Sequence, residues 1–329
     1  MLPATLAQDV KKQVRHYLEA TFPMRDPEFE QALSRFINDP ENGLFKGPWL
    51  QIRRPFRLAS DNGEKFFDLA VPFTPFKHQW LSWQRLSSKA SAPQSTIVTT
   101  GTGSGKTECF LYPVLDHCLR QREAGKSDGI KAIVLYPMNA LAADQAGRFA
   151  EEIMKSEQLS HLLKNSESNK RKALVTVGLY TGRMQPDQED KSDNNEPGTY
   201  TEVQILPAKE TGGKPAYVAV TNRAAMQKNP PDILLTNYKM LDYLLLRGDD
   251  LPLWSQNGKE TLRFLVVDEM HTFDGAQGSD LALLIRRVKH RVDMPKDHLI
   301  CVGSSATLGS GDDAVEDLIT YAETIFGER

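Results

Sequence analysis

The chain has little cysteine: Cys109, Cys118 and Cys301 are the three in 329 residues, and no two form a C-x-x-C pair. That excludes a disulfide framework, argues against a structural zinc site and fits a reducing compartment. The seven histidines show no H-x-x-x-H spacing, so no zinc is expected from them either. Charge of one sign is also lacking. A formal net charge of −3 provides no global basic field, so any nucleic-acid contact must be local. No apolar run reaches the ~20 residues that crossing a bilayer requires. The opening MLPATLAQDVKKQ lacks the apolar centre of a signal peptide. Together these absences predict a cytoplasmic protein without a membrane partner.

What is present is concentrated in residues 97–108, IVTTGTGSGKTE, a β-type run that breaks into a glycine-rich turn. Gly101, Gly103 and Gly105 let the backbone curl so that successive N–H groups converge on an anion. The residues after Thr107, ECFLYPVLDHCLR, carry apolar side chains at helical spacing, so the loop opens onto a helix N-terminus. Thr100, Gly101, Thr102, Gly103, Ser104, Gly105, Lys106 and Thr107 are therefore the candidate phosphate-binding set, with Lys106 for the β- and γ-phosphates of a nucleoside triphosphate and the Thr107 hydroxyl for Mg²⁺. Thr100 replaces the usual first glycine of G-x-x-x-x-G-K-[ST]. The bland alternative is a flexible strand-to-helix turn.

Periodicity organises the rest. Helical spacing over 5–21 and 27–38, with Asp26-Pro27 as a start signal, predicts a small helical appendage spanning about 1–60. Beyond it, apolar runs at 95–100, 131–136, 173–180, 232–236, 263–268 and 298–304 alternate with helical patterns near 106–121, 139–154, 237–246, 276–290 and 313–326. Several runs are continuously apolar, as a sheet covered on both faces requires. The expected fold is α/β, a doubly wound and mostly parallel sheet over 61–329. Residues 183–200, RMQPDQEDKSDNNEPGTY, have little to bury and predict an acidic mobile insert. The charged tract KNSESNKRK reads more simply as a solvated surface than as a nucleic-acid patch.

The second chemical feature is FLVVDEMH at 264–271, an apolar strand ending in adjacent carboxylates. The carboxyl end of a strand is where open α/β sheets bind ligands. There Asp268 suits a Mg²⁺ ligand, and Glu269 suits the group that orients and deprotonates the attacking water.

TGTGSGKTE, VVDEMH and GSSATLG (303–309) resemble motifs I, II and III of superfamily 2 helicases, in the DEAH-like spelling with Met270 in place of alanine. TPFKHQWLSW at 74–83 resembles the glutamine motif, which implies that Gln79 reads the adenine edge. YPMNALAADQ (136–145), LYTGR (179–183) and LLTNYKMLDYLLLR (234–247) resemble motifs Ia, Ib and Ic. The resemblance places Pro137, Asn139, Thr181, Gly182, Thr236 and Asn237 on the sugar-phosphate backbone of one strand of DNA or RNA. Asn139 stands where many relatives carry lysine, so one charged phosphate contact becomes neutral. Ser305, Thr307 and His271 would couple the nucleotide to strand movement. HTFDGAQGSDLALLIRR (271–287) is similar to the large bacterial Lhr-like helicases, including those of anti-phage defence islands such as Druantia.

The matching motifs stop at motif III, so they describe one RecA-like lobe. The resemblance implies a second lobe, supplied by another chain or lying outside this sequence. Three readings stay open: a lobe of an ATP-driven helicase or translocase, a non-catalytic module that binds nucleic acid or protein with nucleotide as a structural ligand, and a restriction-type translocase subunit.

Overall fold

The computed structural model describes residues 3–23, 25–39, 41–46, 55–89, 91–101, 103–162, 171–181, 220–306 and 314–327. The chain divides into two compact units, Met1–Pro55 and Phe56–Arg329. The expected insert at 183–200 lies outside the described residues, as do the candidate residues Thr102, Gly182 and Thr307.

In the first unit, helix α1 spans Pro3–Thr21 and α2 spans Pro27–Asn38. The start of α2 follows from its sequence. Asp26 accepts a hydrogen bond from the Glu28 N–H, and Pro27 occupies a first-turn position where no donor is needed.

The second unit holds helix α3 (Lys77–Leu86), strand β1 (Thr96–Thr99), α4 (Lys106–Glu123), β2 (Ala132–Tyr136) and α5 (Asn139–Lys155). A short antiparallel hairpin follows, β3 (Ser160–Leu162) with β4 (Arg171–Ala173). The chain continues through β5 (Val177–Tyr180), α6 (Arg223–Lys228), β6 (Ile233–Asn237), α7 (Tyr238–Leu246), β7 (Phe264–Val267), α8 (Gly275–Arg291), β8 (Ile300–Ser305) and α9 (Ala314–Phe326).

Six strands form one sheet in the order β1-β8-β7-β2-β6-β5, and every pairing in it is parallel. The expected sheet is thus present. Its faces are separated by side-chain alternation. Val134, Tyr136 and Val266 pack against the layer containing Phe110, Leu115 and Phe149, while Ile133, Leu135, Leu265 and Val267 pack against Leu241, Leu281 and Ile285. Burial on both faces explains why β2 and β7 read as unbroken apolar runs.

Expected and observed strands differ most at β5, foreseen from 173 but beginning at Val177. Ala173 belongs instead to the β3–β4 pair, and the Leu174 N–H donates to Leu159 O at 2.8 Å, so the chain joins the large sheet only after Thr176. Asp232 Oδ2 accepts from the Thr176 N–H at 2.8 Å and from its hydroxyl at 2.9 Å. The same buried carboxylate meets Lys131 Nζ at 2.9 Å and Arg122 Nη2 at 2.7 Å, and Lys131 also donates to the carbonyls of Ser127 and Gly129. This network ties β2, β5 and β6 together at their amino ends. Replacing Asp232 with alanine strands a buried ammonium and is expected to cost about 3–5 kcal/mol, read as a lower urea midpoint. A midpoint equal to wild type would assign the network no role in stability.

Candidate nucleotide site

Parallel pairing assembles the site from segments distant in sequence. β8 lies between β1 and β7, with Thr99 opposite Ser305 and Val267 opposite Gly303. The loop after β1, the acids after β7 and the end of β8 therefore open at one edge of the sheet, at the carboxyl ends of neighbouring strands. Thr100 N–H donates to the Ser305 carbonyl at 3.3 Å, which carries the β1–β8 connection one residue into the loop.

The loop turns through left-handed backbone at Gly103 (φ +77°) and Gly105 (φ +74°), and Gly105 caps α4. At Gly105 the requirement for glycine is double, because a Cβ would lie 2.5 Å from Gln79 Nε2 and 3.0 Å from Glu108 Oε2. The Thr100 and Ser104 hydroxyls are 2.6 Å apart, closing the loop on itself. Two consecutive carbonyls are held from outside it: His78 Nε2 donates to Ser104 O at 2.9 Å and Gln79 Nε2 donates to Gly105 O at 3.0 Å. A peptide's N–H points opposite to its C=O, so holding these oxygens outward turns the following N–H groups the other way. Burial moves His78 below the usual imidazole value, opposed in part by its bond to Ser104. The neutral ring with its proton on Nε2 makes this bond.

Gln79 is itself buried, with Oε1 accepting from the Phe76 N–H at 2.8 Å. Its amide is therefore engaged with the loop and with its own helix start. Trp83 is fully buried and donates to the Glu108 carbonyl at 2.8 Å, whereas Trp80 is half-buried with its indole on Asp61 at 2.7 Å and Lys65 4.7 Å above its ring.

Lys106 and the acids converge. Lys106 Nζ donates to the Thr100 carbonyl at 3.3 Å and lies 4.0 Å from Glu269 Oε1. Asp268 is buried; its N–H donates to Leu135 O at 2.9 Å, and Ser304 donates its hydroxyl to Asp268 Oδ1. The Ser304 Oγ also accepts from the Glu269 N–H at 3.1 Å. Burial raises Asp268 above the usual carboxylate range, with the Ser304 bond opposing and the neighbouring Glu269 charge adding to the rise. The folded chain therefore holds this proton to higher pH than the unfolded chain. Burying the charged form costs stability, a cost that grows as pH rises from the ordinary carboxylate value through the raised one. Asp268→Asn, which can still accept from Ser304, is expected to melt above wild type at pH 7 without nucleotide. The gain should shrink as pH falls, and a lower melting temperature at pH 7 would contradict it.

Glu269 occupies left-handed backbone (φ +50°, ψ +48°), uncommon for a non-glycine residue. Its Oε2 is buried without a hydrogen-bond partner among the described residues. His271 Nδ1 is 3.3 Å away but lacks the alignment of a hydrogen bond, and it meets the Ser305 hydroxyl at 3.2 Å. Thr107 is buried at the first turn of α4. Burial pushes the Cys109 thiol up to about 12, which leaves it inert as a nucleophile.

The other three strands, β2, β6 and β5, end in the residues foreseen for a nucleic-acid strand. Pro137, Asn139, Thr181 and Asn237 are half-buried there. Asn237 accepts from the Met240 N–H at 2.7 Å, capping α7, and its Nδ2 donates to Asn139 Oδ1 at 2.5 Å, so the N-termini of α5 and α7 adjoin. Thr236 departs from expectation. Its side chain is wholly buried and its hydroxyl donates to Tyr180 O at 2.7 Å, which leaves no side-chain group for a strand. A continuous apolar strand gives no sign of which face its last threonine takes.

Three residues were not foreseen. His78 carried a signal in standing next to Gln79. Ser304 stood in GSSATLG but one position before the residues singled out. Glu108 follows the loop, and nothing in its spacing marked it.

The profile of the DEAD/DEAH box helicases matches residues 76–185 and 199–314. Druantia protein DruE of Escherichia coli is 27% identical, aligned over 97% of this chain and 21% of its own length. The Lhr helicase/uracil glycosylase of Escherichia coli is 26% identical over 77% of this chain and 14% of its own. The chain thus spans about a fifth or less of these two relatives. Among solved structures, the DUF1998 helicase MrfA bound to DNA superposes with a TM-score of 0.51 at 22% identity, covering 84% of this chain and 28% of that one, a likeness of fold. With the profile matched across most of its length and the loop and acids gathered at one sheet edge, the chain belongs to the DEAD/DEAH box helicase family.

Proposed function

We propose that this chain is the first RecA-like lobe of an ATP-dependent nucleic-acid helicase or translocase, residues 61–329 forming the lobe and 1–60 an appendage. The observation that carries this reading is the meeting of Lys106, Asp268 and Glu269 at one sheet edge. A cluster of one ammonium and two carboxylates, one buried and one with an oxygen that has no hydrogen bond among the described residues, suits a metal-bound triphosphate.

The residues present fit Mg²⁺: Thr107 and Asp268 would hold it, supplying charge neutralisation for the terminal phosphates. The loop's N–H groups and Lys106 bind the triphosphate tail. Glu269 orients a water and accepts its proton at the carboxylate, whose Oε2 makes no hydrogen bond among the described residues. His271 stands between Glu269 and Ser305, so a shift of either acid or loop reaches the end of β8. These roles, with Gln79, Thr100, Gly101, Thr102, Gly103, Ser104, Gly105 and Thr107 as the nucleotide cradle, are the assignment we put forward.

The adjoining N-termini of α5 and α7 support a backbone-gripping role for Pro137, Asn139, Thr181, Gly182 and Asn237. Ser305 and Thr307 complete the coupling set. A single lobe has no partner wall to close on a strand, and arginine fingers from a second lobe contribute about 10³- to 10⁵-fold in comparable enzymes. The similarity to DruE makes anti-phage defence in the cytoplasm the setting we favour.

The test is ATP turnover with single-stranded DNA or RNA, with and without a chain carrying the second lobe. Turnover should be very slow for the lobe alone and rise steeply with both strand and partner. Strand affinity should be sequence-tolerant and fall as salt rises, because the grip is on phosphates. Salt-independent binding, or turnover indifferent to a strand, would refute the proposal.

A further inference from the structure

Ser304 is fully buried near the end of β8, in a sheet covered on both faces whose strands otherwise carry mostly apolar side chains. Val266 of β7 stands opposite Val302 of β8, and two residues further along each chain the same face presents Asp268 and Ser304. One hydroxyl there meets both acids. A backbone N–H can only donate, so Ser304 Oγ accepts from the Glu269 N–H at 3.1 Å, and its own proton goes to Asp268 Oδ1.

A carboxylate held at one oxygen no longer turns freely about its Cβ–Cγ bond, so both of its oxygens keep their places. A peptide N–H held by a side chain likewise fixes the backbone around it. Glu269 needs such a hold, because left-handed backbone (φ +50°) persists in a non-glycine residue only where its surroundings impose it. The adjacent Ser305 serves a different end: its carbonyl accepts from the Thr100 N–H, and its hydroxyl meets His271.

We propose that Ser304 is a positioning residue for the hydrolytic step, its single hydroxyl setting the Asp268 carboxylate for the divalent cation and the Glu269 backbone for the attacking water. The proposal rests on the nucleotide reading above and adds to it a residue that acts only through the two acids. Because both depend on one oxygen, its loss disturbs cation binding and proton abstraction together. The phosphate loop, held by His78 and Gln79, stays as it is.

The experiment is calorimetric binding of the non-hydrolysed ATP analogue AMP-PNP, in EDTA and in excess Mg²⁺, to the full chain and its Ser304→Ala, Ser304→Cys and Ser304→Thr variants. In EDTA all four should bind alike, which also shows that the variants are folded. The gain in affinity on adding Mg²⁺ should be about tenfold smaller in Ser304→Ala than in the wild type, the weight of a hydrogen bond to a charged group. Ser304→Cys, a weak donor of similar size, should fall between, and Ser304→Thr, which keeps the hydroxyl, should recover most of the gain. In the assembled two-lobe enzyme at saturating Mg·ATP, kcat should fall by about ten- to a hundredfold in Ser304→Ala, as for a slightly misplaced catalytic group, and recover in Ser304→Thr. A Ser304→Ala or Ser304→Cys variant with the wild-type gain from Mg²⁺, or with the wild-type kcat, would overturn the proposal. So would a Ser304→Thr variant as impaired as Ser304→Ala, which would assign the position to packing. A wild type that binds AMP-PNP no more tightly with Mg²⁺ than without would instead remove the cation site beneath it.

Discussion

Lys106→Ala is expected to weaken ATP binding by about 30- to 4000-fold, the range for losing a partner of a desolvated charge pair, about 2–5 kcal/mol. The magnitude follows from where the ammonium sits. Lys106 is 10% exposed, reaches back to the Thr100 carbonyl and stands 4.0 Å from Glu269, with buried Asp268 sensing its charge. Remove it, and an incoming triphosphate meets two carboxylates with no fixed cation to offset them. Tripolyphosphate should lose affinity in parallel with ATP, since the lost contact is to the tail. The melting temperature without nucleotide should stay close to wild type, because Lys106 makes one long hydrogen bond and one ion pair at the distance limit. Nucleotide binding unchanged in a folded Lys106→Ala protein would remove the loop from the site.

Glu269→Gln is expected to keep nucleotide bound while turnover in the assembled two-lobe enzyme falls by about 10²- to 10⁴-fold, the usual contribution of a positioned general base. Glutamine has the shape of glutamate but takes up no proton at neutral pH. The geometry makes the substitution clean. Glu269 Oε2 has no hydrogen bond to lose among the described residues, and Lys106 can still reach an amide oxygen at the place of Oε1. Single-turnover measurement separates the two effects: burst amplitude should persist for binding and vanish for chemistry. Full turnover in this variant would take Glu269 out of the base role and leave Asp268 and the loop as a binding site.

These two residues also show how much of the site was legible beforehand. Lys106 was expected because glycine-rich curvature followed by Lys-Thr at a helix start is the pattern of a phosphate loop, and α4 begins at Lys106 itself. Asp268 and Glu269 were expected because an apolar strand ending in two acids places charge at a sheet edge, and β7 does end just before them. His78 and Glu108 were not, because their chemistry depends on Ser104 O and on Arg148, partners that no spacing in the chain reveals. The burial of the Thr236 side chain was not legible for the same reason: near the end of a strand covered on both faces, the direction of a hydroxyl is decided by its neighbour strand, here Tyr180 O.

Local sequence by itself located the six strands of the parallel sheet to within a few residues, most of the helices that alternate with them, the start of α2 at Asp26 and the turn at Gly103 and Gly105. Each of these depends on period, capping or backbone freedom within a few residues. The tertiary structure alone decided that β8 inserts between β1 and β7, which brings Thr100, Asp268 and Ser305 to one edge. It also decided that Asp232 gathers Lys131, Arg122 and Thr176 at the amino ends of the strands, and that Glu108 pairs with Arg148. Strand order and the pairing of buried charges depend on side chains far apart in the chain, so they are fixed only when the sheet closes its core.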